Sequence, residues 1–298
     1  MSIRKLQSYT EGYQSTRLIT KYQHYYPSFS LANFSDTKNG RSSKLMCLRA
    51  HSEIPFSTVA DKIGGERNLY EPLSSYRNEI ENLLSVMDGA IHELFKKLTT
   101  SVEQYVLTGH ENKMLTNYVN TIELRNPSVI NNPEAMVRKM EEYGFSNHVH
   151  ENLYQNYGRF LKQEIQKSSR HYQFSLCFTV NEIPLNLTSP IFYGPGIVEG
   201  QKVIEYGMLP FGKNIFLMFK EHTDSNSIIR FYFEDVSCES SLVNYVLSKQ
   251  NPQSTYIFSH NKVDMYTSAI LGLRDMEKKV EPQHLVLEKS LFRINTNM

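Results

Sequence analysis

The chain has no tryptophan and only three cysteines in 298 residues. Cys47, Cys177 and Cys238 are widely spaced and odd in number, which is neither a disulfide framework nor a paired-cysteine zinc site. No apolar run approaches the roughly 20 residues that a bilayer-spanning helix needs. The opening stretch, Met1 to Tyr9, lacks the apolar segment of a signal peptide. Nor is there an excess of one charge. Thirty-two Lys and Arg against 31 Asp and Glu leave a formal net charge of +1, so no global basic field exists to hold nucleic acid non-specifically. A Gly-rich phosphate loop, a His-Glu-x-x-His pair and a Gly-x-Ser-x-Gly elbow are all missing, which weakens P-loop nucleotide hydrolysis, zinc proteolysis and α/β-hydrolase chemistry. The expectation is a protein of the reducing cytoplasm, not of a membrane, with no metal and no cofactor.

What is present is a large apolar complement. Hydrophobic residues make up 40% of the chain, with 19 Tyr and 16 Phe, enough for a sizeable core and too much for disorder. Residues 1–22 are polar and Tyr-rich and read as an irregular arm. Its Arg4, Lys5, Arg17 and Lys21 serve either solubility or a local nucleic-acid contact. Residues 23–298 read as a single α+β domain, helical over about 73–167 and strand-rich over about 171–298. The fold expected is a mainly antiparallel sheet of N- and C-terminal strands, with a central bundle of about four helices packed on it.

The elements follow from period. Tyr22 to Arg49 reads as a strand pair turning at Asn39-Gly40, a dipeptide that tolerates positive backbone angles. Ile80, Leu83, Leu84, Met87, Ile91, Leu94, Phe95, Leu98 and Val102 recur at three- and four-residue steps, one apolar stripe on a long helix. Glu79, Glu81, Asp88, Glu93 and Lys96 fall on its other face, and Gly109 is read as its close. A second helix runs from about Glu111 to Asn126, stopped by Pro127. A third starts at the Asn132-Pro133 cap and ends at Gly144. A fourth covers about Ser146 to Lys167. Tyr172 to Val180 then alternates strictly, as a half-buried strand does. Further strands are expected at Val203–Met208, Asn214–Lys220, Ile228–Glu234 and Thr255–Ser259, and helices at Ser240–Ser248 and about Met265–Lys279. Leu285 to Ile294 reads as a final strand.

The candidate chemistry centres on Gln23 to Phe34, where His24 sits beside Pro27 in a dense aromatic cluster. An imidazole titrates near neutrality and serves acid–base work; it also serves to satisfy backbone groups at a strand end. Arg125, just before Asn126-Pro127, offers a fork for phosphate, or a cation at a helix C-terminus. Glu79 and Glu81 are either site acids or charges favouring a helix start. Thr188 and Ser189, in a loop before Pro190, either bind through their hydroxyls or form a turn. Tyr25 and Tyr26 complete the candidate substrate contacts. His148-x-His150 has the wrong spacing for two ligands on one helix face.

Several of these segments occur in an order that resembles a large, mostly bacterial family catalogued as a domain of unknown function (number forty-two thirty-eight). They are His24-Tyr25-Tyr26-Pro27 with Leu31 and Asn33-Phe34, Leu69-Tyr70, the Glu79/Glu81 helix and Arg125-Asn126-Pro127. Pro184 to Pro190, Leu209-Pro210 and Asn244 continue the resemblance over about residues 20–260. This chain lacks the Asp-Asn that the family usually carries between Ser189 and Pro190. The name implies no reaction. Two readings are carried forward. One is a nuclease-like phosphodiester hydrolase, a defence-type effector with His24 as acid or base and Arg125 on phosphate. The other is a non-enzymatic module contacting a protein or nucleic-acid partner. A homo-oligomer is a further possibility.

Overall fold

A computed structural model describes residues 22–37, 39–100, 105–145, 152–168, 170–180, 182–199, 202–221, 227–233, 254–276, 286–288 and 292–294. Its elements begin with β1 (Tyr22–His24), α1 (Ser28–Leu31), β2 (Lys44–Arg49), β3 (Phe56–Val59) and β4 (Gly65–Arg67). The helical region is α2 (Glu79–Thr100), β5 (Tyr105–Val106), α3 (Gly109–Leu124), α4 (Pro127–Ile130), α5 (Pro133–Glu142) and α6 (Leu153–Gln166). Then come β6 (Tyr172–Phe178), β7 (Leu185–Asn186), β8 (Phe192–Glu199), β9 (Lys202–Gly212), β10 (Ile215–Glu221) and β11 (Ser227–Phe233). The last elements are β12 (Thr255–Phe258), α7 (Val263–Met276), β13 (Val286–Glu288) and β14 (Phe292–Ile294).

The class is α+β. An eight-stranded sheet has the order β13-β8-β9-β10-β6-β11-β14, with β5 added to β11. It is mainly antiparallel; β6–β11 and β8–β13 are its parallel pairs. A four-stranded antiparallel sheet, β3-β2-β12-β7, joins N-terminal to C-terminal strands. The expected single sheet is therefore divided, and β1 pairs with β4 in a separate ribbon. The apolar stripe of α2 is buried from Ile80 to Leu98. It packs with α3, α6 and the sheet in one core containing Leu176, Phe211, Leu217 and Phe219. Phe95 stacks on Phe211 with ring centroids 4.8 Å apart.

The strand pair expected over Tyr22–Arg49 does not form. β1 ends at His24, and Pro27, extended at φ −62° and ψ 131°, caps α1 instead. A proline without an N–H suits that position, where a helix has no internal partner to offer. Leu31 and Phe34 then face the core and are fully buried. Gly40 does adopt a positive φ, but inside a 3₁₀ turn over Gly40–Ser42. Gly109 opens a helix rather than closing one, because Thr108 and Glu111 form a reciprocal capping box there. β8 had no sequence signal. Gly194, Pro195 and Gly196 break its alternation, and its register shifts between Tyr193 and Gly196 to accommodate them. The expected helix at Ser240–Ser248, together with His148, His150, Cys238 and Asn244, lies outside the described residues.

Candidate functional site

Each part of the Gln23–Phe34 segment is tied down locally. Gln23 is buried; its side-chain oxygen accepts from the Tyr70 N–H at 2.7 Å and its amide donates to Glu71 at 2.9 Å. The Tyr26 hydroxyl, wholly buried, donates to the Pro210 carbonyl at 2.5 Å. The Asn33 amide donates to the Phe211 carbonyl at 3.0 Å. The segment is thus pinned to β9, and α1 is held against one face of α2. Between them lies a cavity of about 550 Å³, within the usual size range of small-molecule sites.

Helix α2 lines that cavity with Glu81, Ser85, Asp88 and His92, spaced by four, three and four residues. Such spacing places them along one stripe. His24 and Phe29 come from the other side, and Arg41 from the turn that follows α1. The exposed lining residues Gly40, Arg41, Ser85 and Gly89 mark the solvent side. Three lining residues carry a buried polar atom with no protein hydrogen-bond partner: His24 Nε2, Glu81 Oε2 and His92 Nδ1. Each such atom costs about 1–3 kcal/mol. Their concentration around one cavity marks a place where the fold has given up stability.

The electrostatics are uneven. Burial lowers the His24 pKa, with Asp61 opposing and Arg41 adding to the fall. One ring nitrogen of His24 bonds to the Asp61 backbone, and Nε2 is the unpartnered one. In the neutral ring, Nε2 is therefore the lone-pair acceptor. Burial, and then the like charge of Asp88, push Glu81 up to about 7 against the opposing charges of Arg125 and Arg41. Burial also lowers His92, with Lys96 contributing. The Phe29 and His92 rings meet with centroids 4.8 Å apart.

Arg125 does not line the cavity. Its wholly buried guanidinium forks onto Asp88, with three hydrogen bonds of 3.1 Å. Burial opposes its charge, yet Asp88, Tyr70 and Tyr118 hold its pKa above the ordinary value. Burial raises Asp88, and Arg125 opposes that rise. The charge of Arg125 is nonetheless felt at both His24 and Glu81, and its hydrogen bonds hold Asp88, which lines the cavity.

The other sequence candidates lie elsewhere. Glu79 accepts from the Ser75 N–H and pairs with Lys162, both at 2.8 Å. Tyr25 is partly buried against the core, with its N–H on the Gly64 carbonyl. Thr188 donates its N–H to the Asn186 side chain at 3.1 Å, and Ser189 is exposed; neither lines the cavity. Conversely, Asp88, His92 and Arg41 are lining residues that the sequence reading did not assign. The i, i+4, i+7, i+11 pattern of Glu81, Ser85, Asp88 and His92 was the available signal. Among the described residues, no group of three or more His, Cys, Asp or Glu side chains is arranged to hold a metal ion.

The Glu81 carboxyl makes a prediction of its own. Its ordinary pKa is 4.5 and the folded value about 7, so between them the folded chain binds more protons than the unfolded one. Its contribution to stability therefore falls as pH rises through that window. Glu81→Gln should gain about 2 kcal/mol on wild type between pH 5 and pH 8, allowing for partial exposure of the side chain. Urea unfolding of both proteins at the two pH values measures this; an equal difference at both means the carboxyl is not perturbed.

No curated protein and no solved structure matches the chain. No helix among the described residues is long and apolar enough to cross a membrane. A family model does match, over residues 22–194. That span contains His24, Glu81, Arg125, α1 to α6 and the whole cavity lining. The chain belongs to the family described as Protein of unknown function (DUF4238).

Proposed function

We propose that the chain is a nuclease-like phosphodiester hydrolase whose site is the cavity between α1 and α2. The observation that supports this most is the pairing of two titratable groups with unpartnered buried atoms, His24 Nε2 and Glu81 Oε2, from the two sides of one cavity. Environments that lower the pKa of an imidazole and raise that of a carboxyl suit general base and general acid work near neutral pH.

In this reading His24, neutral, takes a proton from the attacking water at Nε2. The water oxygen bonds to phosphorus and the bond to the leaving oxygen breaks. Glu81, protonated, delivers its proton to that oxygen. Both groups reset by exchange with solvent. Arg41 stabilises the charge on the non-bridging oxygens, the task expected of Arg125 from sequence. Arg125 instead acts at one remove, by holding Asp88 beside Glu81. The bacterial setting and the defence role belong to the same proposal and come from the family resemblance. A binding module built on outward-facing N-terminal aromatics has less support, because Tyr26 is buried and Tyr25 largely so.

The test is cleavage of labelled single- and double-stranded DNA and RNA oligonucleotides by the full chain. His24→Ala should lower kcat by about 10²–10⁴-fold while the melting temperature changes by only a few degrees. The pH profile of kcat/KM should be bell-shaped. His24 must be neutral, which fails on the acid side below its ordinary 6.5. Glu81 must be protonated, which fails as pH rises through about 7. Wild-type turnover in His24→Ala, or no cleavage of any of the four substrates by wild type, defeats the proposal.

A further inference from the structure

Gly89 is out of place by every local criterion. It sits in the interior of the 22-residue helix α2, where glycine is markedly less favourable than alanine because it loses more backbone freedom on folding. Its backbone shows no positive φ that would call for glycine. Apart from its chain neighbours and the backbone of its own helix, no atom lies within 4 Å of where a Cβ would stand, so no close packing requires its small size either. What its bareness does leave is space: Gly89 lines the cavity, between Asp88 and His92.

The apolar part of the same lining is Phe29 and Pro27 from the α1 segment and Leu84 on α2. Phe29 is already set against the His92 ring. At the solvent side stands Arg41, with 76% of its side chain exposed and Asp61 at 3.8 Å, beyond hydrogen-bonding reach. A ligand suited to this arrangement has a planar ring to fill the slot, a polar edge for His92, and an anion for Arg41. A nucleotide has all three.

We infer that the slot over Gly89 is a nucleobase subsite, with the base lying on bare helix backbone opposite Phe29 and the attached phosphate facing Arg41. This rests on the phosphodiester reading for its ligand class and adds where the base is held. A base stacked on an aromatic side chain binds about 5- to 150-fold more tightly than the same sugar phosphate without it.

Isothermal titration calorimetry on the full chain tests this with the four nucleoside 5′-monophosphates, ribose 5-phosphate and inorganic phosphate. At least one nucleotide should bind about tenfold or more tightly than ribose 5-phosphate. Gly89→Leu fills the slot from a position with open space around it, so the variant should fold. It should reduce nucleotide binding to the ribose 5-phosphate level and leave ribose 5-phosphate itself unchanged. Arg41→Gln should weaken nucleotide and sugar phosphate alike. Nucleotides that bind no better than ribose 5-phosphate, or a folded Gly89→Leu that binds them like wild type, overturn the subsite. Nucleotide binding with no cleavage by wild type would refute hydrolysis and keep the subsite; cleavage with no contribution from the base would do the reverse.

Discussion

Replacing Arg125 by alanine is expected to remove about 3–5 kcal/mol of folding stability, the range for breaking a buried ion pair from one side. The Arg125 side chain has no exposure, and Asp88 retains 17%. All three hydrogen bonds of the pair measure 3.1 Å, and the Tyr118 ring lies 5.7 Å from the guanidinium carbon. Truncation leaves a carboxylate facing a void, and among the described residues Arg125 is the cation that acts on it. Arg125→Lys should recover only part of the loss, since an ammonium cannot fork onto two oxygens. Removing both charges together, in an Arg125→Met/Asp88→Leu double variant, should recover most of it, because desolvating the pair is itself costly. Urea unfolding of the set measures all three. A loss below about 1 kcal/mol for Arg125→Ala would mean that the pair behaves like a surface salt bridge.

Gly158→Ala should cost about 3 kcal/mol or more, at the upper end of what overpacking does. A Cβ there would stand 1.9 Å from the Leu73 carbonyl oxygen and 2.9 Å from its carbon. Both are backbone atoms, and that turn is braced by the Leu73 N–H on Tyr70 and the Ser74 N–H on Glu71. Helix α6 can approach the 3₁₀ turn at Glu71–Leu73 this closely only without a side chain. The same substitution at Gly89 should have the opposite sign, a gain of up to about 1 kcal/mol from helix propensity. Thermal melts of the two variants read the difference directly. Equal effects would contradict the account of what each glycine is for.

Some of this architecture was legible because it is local. The Asn132-Pro133 start was read from chemistry that acts within one turn: the Asn132 side chain accepts from the Glu134 and Ala135 N–H groups. The stripe of α2 reports burial with the period of the helix that carries it, whereas β6, expected to be half-buried, is buried on both faces at Ser175 and Cys177 because it lies inside the sheet between β10 and β11. The site was legible only in part. His24 and Glu81 stand out in the sequence as ionisable groups, whereas Asp88 reads only as one of several charges on the face of α2 other than its apolar stripe, and nothing local singles out His92 or Arg41. Periodicity separates the core face of a helix from the rest. It does not say whether the remaining face meets water or a second segment.

From its residues alone, then, this chain determined its α+β class, the extent of its long helices and the presence of ionisable groups in an apolar setting. Each of these depends on contacts or preferences spanning a few positions. Tertiary structure decided that α1 lies across the polar face of α2, that Arg125 is spent on Asp88, and that Gly89 opens onto a cavity. Those facts depend on β1 pairing with β4 and on Tyr26 and Asn33 fastening to β9, more than 170 positions away. Such pairings are selected by the packing of the whole chain, and no short stretch of it encodes them.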